Sequence, residues 1–268
     1  MHVRRITHVI ELHSLGPAWN RLAGGIPFRL CEWNSTWWRH YGQQGQLYVL
    51  AVVDADGELM GVAPWYIENA RARGRVLRFL GSGEVCSDYH TILSRPGLEE
   101  TVAKAVADYL CNGVSNDDDQ VGGPRDWDLL QMNGVLADDR TLRTLITELS
   151  GRGAAVHEEP TLNCWRLNFP NSWEEYEALL SKNHRKQIRR LQRTFFDSGR
   201  AVLHTVSRRE ELPTGWEILV HLHQRRWITQ GELGVFHSPR FTAFHRDIAE
   251  QFLNKDRLRL HWLEVDGK

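Results

Sequence analysis

Cysteine is scarce in this 268-residue chain, and the four present are badly placed for a shared task. Cys31, Cys86, Cys111 and Cys164 are scattered, with no Cys-x-x-Cys pair and no His pair at zinc-finger spacing. Neither a disulfide framework nor a structural zinc follows from that spacing. The four are expected as reduced thiols, and no metal is expected elsewhere. A long apolar run is also missing. The strongest, residues 47–53 (LYVLAVV), is far short of the ~20 residues a bilayer crossing needs, and residues 1–14 lack the apolar core of a secretory signal. Together these absences suggest a cytoplasmic protein with no transmembrane segment. No Gly-x-Ser-x-Gly elbow and no recognisable Cys-His signature occur, so a covalent enzyme intermediate has no support. A formal net charge of −1 argues against a protein whose whole surface grips nucleic acid or acidic lipid, and leaves local patches open.

What is present is enough for a substantial core: 41% hydrophobic residues, eleven Trp among them. The length suggests two domains, or one large α/β unit. Residues 2–10 alternate like a strand; Pro17 opens a short helix over 18–23; Trp33, Trp37 and Trp38 share one face of a helix over 32–41. Two β-rich runs flank DADG at 54–57, a hairpin signature because Asp-Gly tolerates positive φ. RVLRFLG and DYHTIL add strands, LEETVAKAVADYL a helix, WDLLQM a strand, DDRTLRTLITELSGRG a helix and CWRLNF a closing strand. SNDDDQVGG at 115–123 reads as an acidic loop.

A second region opens with Ser172 and Glu175 at capping-box spacing and runs to Gly199, a suitable C-terminal stop. Ser181 leaves two readings open, one long helix or a short one followed by 182–198. Within it, KNHRKQIRRLQR (182–193) carries Lys182, Arg185, Lys186, Arg189, Arg190 and Arg193 and no carboxylate. Ile188, Leu191 and Phe195 share another face, so the helix is amphipathic. Several of the cations are like-charged i, i+4 pairs, which repel. Either water and internal carboxylates offset that repulsion, or phosphates of a ligand do. Nucleic acid ranks last, because no aromatic side chains are interleaved to stack on bases. A strand over 201–206, helices over 215–230 and 239–253 and a strand over 257–265 complete the reading. The pattern β-α-α-β thus occurs twice. Asp266-Gly267 reads as a turn leading into a further strand, so the second domain is expected to be incomplete in this chain.

That order of elements is similar to the GNAT acyltransferase fold. The blocks PFRLCEWNSTWWRHYG, LYVLAVVDADGELMGVAPWYI, RVLRFLGSG, SDYHTIL, YEALLSKNHRKQIRRLQRTFFDSG and HLHQRRWITQGELGVF, in this order, resemble the CelD-like acetyltransferases, relatives of the FemAB peptidoglycan aminoacyltransferases. The resemblance implies an α/β (α+β) fold of tandem GNAT-like domains, each a mixed, mostly antiparallel sheet with flanking helices, over 1–168 and 169–268. It also implies acyl transfer from acetyl-CoA or another acyl-CoA to an amine or a saccharide-type hydroxyl, in cellulose, exopolysaccharide or cell-envelope synthesis. Two alternatives stand beside it: FemAB-like aminoacyl transfer from charged tRNA, and a non-catalytic accessory that binds phosphorylated precursors.

Candidate residues follow. Arg78, Gly81 and Gly83 match the R-x-x-G-x-G lettering with which GNAT enzymes hold the CoA pyrophosphate, although the following residues read as extended rather than as a helix N-terminus. Asp88, Tyr89 and His90 offer a base and an acid for acyl transfer. On a strand Asp88 and His90 share one face with Tyr89 opposite, so the three converge only if the strand bulges. Lys182, Arg185, Arg189 and Arg190 are candidates for a ligand phosphate. Arg226 and Trp227 are implied by the resemblance to line an inter-domain cleft. His221 and His223 point to different helix faces and make no metal pair.

Overall fold

Residues 1–112, 126–160, 163 and 165–268 are described in a computed structural model. The 115–123 loop and Cys164 lie outside them. The chain divides into two compact units, one comprising Met1–Val156 with His237–Ile248, the other His157–Phe236 with Ala249–Lys268. The sequence reading places the boundary at 168/169.

In the first unit the chain runs β1 (His2–Ile6), α1 (Val9–Ser14), α2 (Gly16–Leu22), α3 (Cys31–Tyr41), β2 (Gly45–Val53), β3 (Leu59–Ala70), β4 (Gly74–Phe79), β5 (Leu93–Ser94), α4 (Glu99–Asn112), β6 (Leu129–Gln131) and α5 (Arg140–Gly151). The sheet order is β1-β2-β3-β4-β6, with β5 on β3. All pairings are antiparallel except β4 with β6. The β2–β3 turn forms at DADG as read: the Asp54 N–H donates to the Glu58 carbonyl at 3.1 Å and Gly57 takes φ 81°.

Both faces of this sheet are covered, which is why β2 reads as an unbroken apolar run rather than an alternating one. Tyr48, Leu50 and Val52, with Ala63, Trp65 and Ile67 of β3, pack with Val102, Val106 and Leu110 of α4 and Leu142 and Leu145 of α5. On the other face Trp37 of α3 lies 4.9 Å from Tyr66. α4 sits so close to β3 that a Cβ at Gly61 would strike the Val102 side chain. Asp139 caps α5, accepting from the Leu142 N–H at 3.0 Å.

The second unit holds α6 (Trp173–Leu179), α7 (Lys182–Leu191), β7 (Ala201–Thr205), α8 (Leu212–Ile228) and β8 (His261–Val265); α9 (Pro239–Leu253) gives residues up to Ile248 to the first unit and the rest to the second. β7 and β8 pair antiparallel, Ala201 opposite Val265 through Thr205 opposite His261. Val206, Leu212 and Ala249 form a small core with Trp216, Leu258, Leu260 and Trp262 against it. Among the described residues no helix is long and apolar enough to cross a membrane.

Three sequence expectations are corrected. The alternation of residues 2–10 makes a strand only to Ile6, because Val9–Ser14 is helical. DYHTIL is not a strand: Leu93 and Ser94 alone belong to one, and His90 makes a single isolated bridge to Val135. CWRLNF forms no strand over its described residues 165–169, where Trp165 is fully exposed. The Ser181 ambiguity resolves to two helices, since Ser181 caps α7 by accepting from the His184 N–H at 3.3 Å.

Candidate functional site

In the first unit the loop after β4 is pinned to α3. Gly81 takes φ 85°, and a Cβ there would lie 2.9 Å from Ser87 Oγ and 3.3 Å from both His90 Nε2 and Trp33 Nε1. Only glycine fits this turn, on conformation and on space. Trp33 Nε1 donates to Ser87 Oγ at 2.9 Å, Trp37 Nε1 to the Ser82 carbonyl at 3.1 Å, and Tyr41 Oη to Glu84 Oε2 at 2.8 Å. Cys86 and Tyr89 are held in left-handed backbone at φ 48° and 59°, conformations that cost free energy and persist where the surroundings over-determine them.

Asp88, Tyr89 and His90 do not converge. Asp88 is exposed; Tyr89 is half-buried, and its carbonyl accepts from Arg29 Nε at 2.7 Å; His90 is buried beside Phe79 with ring centroids 5.0 Å apart. Neither ring nitrogen of His90 makes a well-formed hydrogen bond. Burial pulls its pKa down from 6.5 to about 4; the Asn133 backbone opposes the shift and the Arg29 charge adds to it. A base with a depressed folded-state pKa makes the unfolded chain the tighter proton binder between those two values, so stability rises with pH across that window. The folded state is therefore expected to lose about 3 kcal/mol as pH falls from above 6.5 to 4. Urea unfolding across this range measures the loss, and His90→Gln should remove this component.

Arg78 stands within β4, its Nε 2.8 Å from Glu68 Oε1. The turn beyond it leads into a three-residue 3-10 segment, Gly83–Val85, not an α-helix. Gly83 has open space around it, whereas Gly81 is filled by its neighbours. The lettering is therefore present without the helix N-terminus that supplies convergent N–H donors. A second feature here has no local signature at all. His40 Nε2 lies 2.7 Å from Asp247 Oδ2, with Arg39 Nη1 at 3.4 Å, while Phe244 packs edge-on to Trp33 at 4.9 Å. These partners are too far apart in sequence for any local pattern to show them.

In the second unit the basic helix sorts its cations by role. Arg185 Nη1 donates to the carbonyls of Leu180 (2.9 Å), Glu177 (3.3 Å) and Ala178 (3.4 Å), closing the end of α6. Arg189 Nη2 bonds Glu177 Oε2 at 2.7 Å and holds that carboxyl below the usual range. Internal pairing thus occupies both. Lys182, Lys186, Arg190 and Arg193 are exposed and have no carboxylate partner among the described residues. The first three fall at i, i+4 and i+8, one stripe of α7. On α8, Arg226 is exposed with its guanidinium 6.0 Å from the Trp227 ring centroid, and His223 sits edge-on to Phe236 at 5.0 Å. No group of three His, Cys, Asp or Glu able to hold a metal occurs among the described residues.

Residues 182–268, from the first turn of α7 through β8, match the family model described as acetyltransferase (GNAT) domain. The match supports acyl transfer as the general class of activity and an acyl-CoA as the usual donor. No curated protein and no solved structure gave a match to the chain.

Proposed function

We propose that this protein transfers an acyl group, acetyl foremost, from acyl-CoA to an amine or hydroxyl of a saccharide-type acceptor, in the manner of the CelD-like enzymes. The observation that carries the reading is the GNAT-domain match over 182–268, laid over β7, α8, α9 and β8 in strand-helix-helix-strand order. The first unit repeats that logic: β1 and β2 pair antiparallel although helices α1 to α3 lie between them. Two GNAT-like units in tandem are the architecture this reading assigns.

The acceptor nitrogen or oxygen attacks the thioester carbonyl directly. The new C–N or C–O bond forms, the C–S bond breaks, the acceptor's proton leaves to a base, and the thiolate of CoA takes up a proton. Positioning of the two substrates supplies much of the rate. Lys182, Lys186, Arg190 and Arg193 are the groups for the donor's phosphates, because ammonium and guanidinium donors without internal partners gain most from an anion. Arg226 and Trp227 offer a cation and an apolar ring face to the acceptor. Incubation with acetyl-CoA and a panel of amino sugars and oligosaccharides, read by mass spectrometry, should give an acetylated product together with free CoA. If donor binds and no acceptor is modified, the protein is an accessory that holds a phosphorylated precursor, the reading favoured by the cation stripe alone.

A further inference from the structure

The first unit contains a cavity that the acyltransferase reading does not use. It is a half-open cleft of about 800 Å³ between α2, β1 and the β2–β3 turn, and Arg4, Arg21 and Arg95 line it together with Glu58, Leu22 and Val53. The two adjacent arginines of β1 point to opposite faces, as strand geometry requires. Arg5 turns to Asp126 and stacks over the Tyr48 ring, its guanidinium carbon 4.1 Å from the centroid. Arg4 turns the other way, into the cavity. Neither Arg4 nor Arg21 has a carboxylate partner among the described residues, and Arg95 has a loose one, Glu58 Oε2 at 3.5 Å with both groups more than half exposed. Three guanidinium groups against one carboxylate give the cleft a net positive charge, which favours an anion.

We propose that this cavity binds a phosphomonoester with an apolar body. The phosphate would be gripped by Arg4 and Arg21, with Arg95 released from Glu58 to join them, and the apolar part would lie on the aliphatic floor at Leu22 and Val53. The site lies wholly within the first unit and does not rest on the acyltransferase reading.

Calorimetry with n-octyl phosphate below its micellar concentration tests it, against n-octyl trimethylammonium and inorganic phosphate. One equivalent of octyl phosphate should bind, more tightly than inorganic phosphate and progressively more weakly as salt is raised. The paired substitution Arg4→Gln and Arg21→Gln should weaken it by roughly tenfold per guanidinium removed. Both residues are exposed, so thermal unfolding of the variant should match that of the parent. Co-sedimentation with vesicles containing phosphatidic acid would assign the ligand to a lipid headgroup, and its absence alongside octyl phosphate binding to a soluble phosphomonoester. Equal binding of the trimethylammonium compound, no binding of octyl phosphate, or unchanged affinity in the paired variant would overturn the proposal.

Discussion

Acetyl-CoA affinity is expected to fall by about 100-fold when Lys182, Lys186, Arg190 and Arg193 are replaced together by Gln, taking at least two charge-assisted phosphate contacts at about tenfold each. The same change should slightly stabilise α7, because Lys182 with Lys186 and Lys186 with Arg190 are like-charged i, i+4 neighbours. Opposite movements of affinity and helix stability mark a stripe kept for a ligand at some cost to the fold. Arg185→Gln should behave otherwise. It removes the donor to the Leu180, Glu177 and Ala178 carbonyls, so stability falls while the cation stripe remains. Calorimetry for binding and circular dichroism for unfolding read the two effects separately.

The largest stability effect is expected at Asp126. Its Oδ2 pairs with Arg5 and its Oδ1 accepts from Tyr48 Oη at 2.9 Å, and the Arg5 and Asp126 side chains are only 12% and 19% exposed. Burial, followed by the Asp126 charge, pushes the Tyr48 phenol well above its usual pKa, so it stays protonated and donates. Asp126→Ala strands a largely buried guanidinium and a buried hydroxyl at once, at a cost of about 3–5 kcal/mol. Asp128→Ala, two residues on, should cost only a fraction of that, since its ion pair with Arg75 is half exposed and screened by water and the main loss is the hydrogen bond it accepts from the Arg75 N–H at 2.7 Å. Chemical unfolding of the two variants in parallel gives the comparison.

Much of the fold is legible in the sequence because local signals and tertiary packing agree. The Trp spacing of α3, the DADG turn and the Ser172 cap each name their element without reference to the rest of the chain. The segment at 88–92 misleads because its β-rich composition suits any buried extended stretch, while hydrogen bonding decides pairing. His90 is held by its N–H to the Gly134 carbonyl at 2.9 Å, a partner far along the chain that no periodicity announces. CWRLNF carries apolar residues at strand spacing, yet over 165–169 it pairs with nothing among the described residues. The basic helix is half readable in advance. Its sequence shows six cations; only the folded chain shows that Arg185 and Arg189 serve α6, leaving four others, three of them in one stripe of α7. Pairs such as His40 with Asp247 and Arg5 with Asp126 depend on chain reversal and lie beyond local reading.

The most direct test of the donor-binding role assigned to the basic helix is calorimetric titration of the chain with acetyl-CoA, beside the variant in which Lys182, Lys186, Arg190 and Arg193 are all Gln. Saturable binding by the parent chain, weakened by about 100-fold in the variant, is the predicted result. No binding by the parent, or equal binding by both, would contradict it.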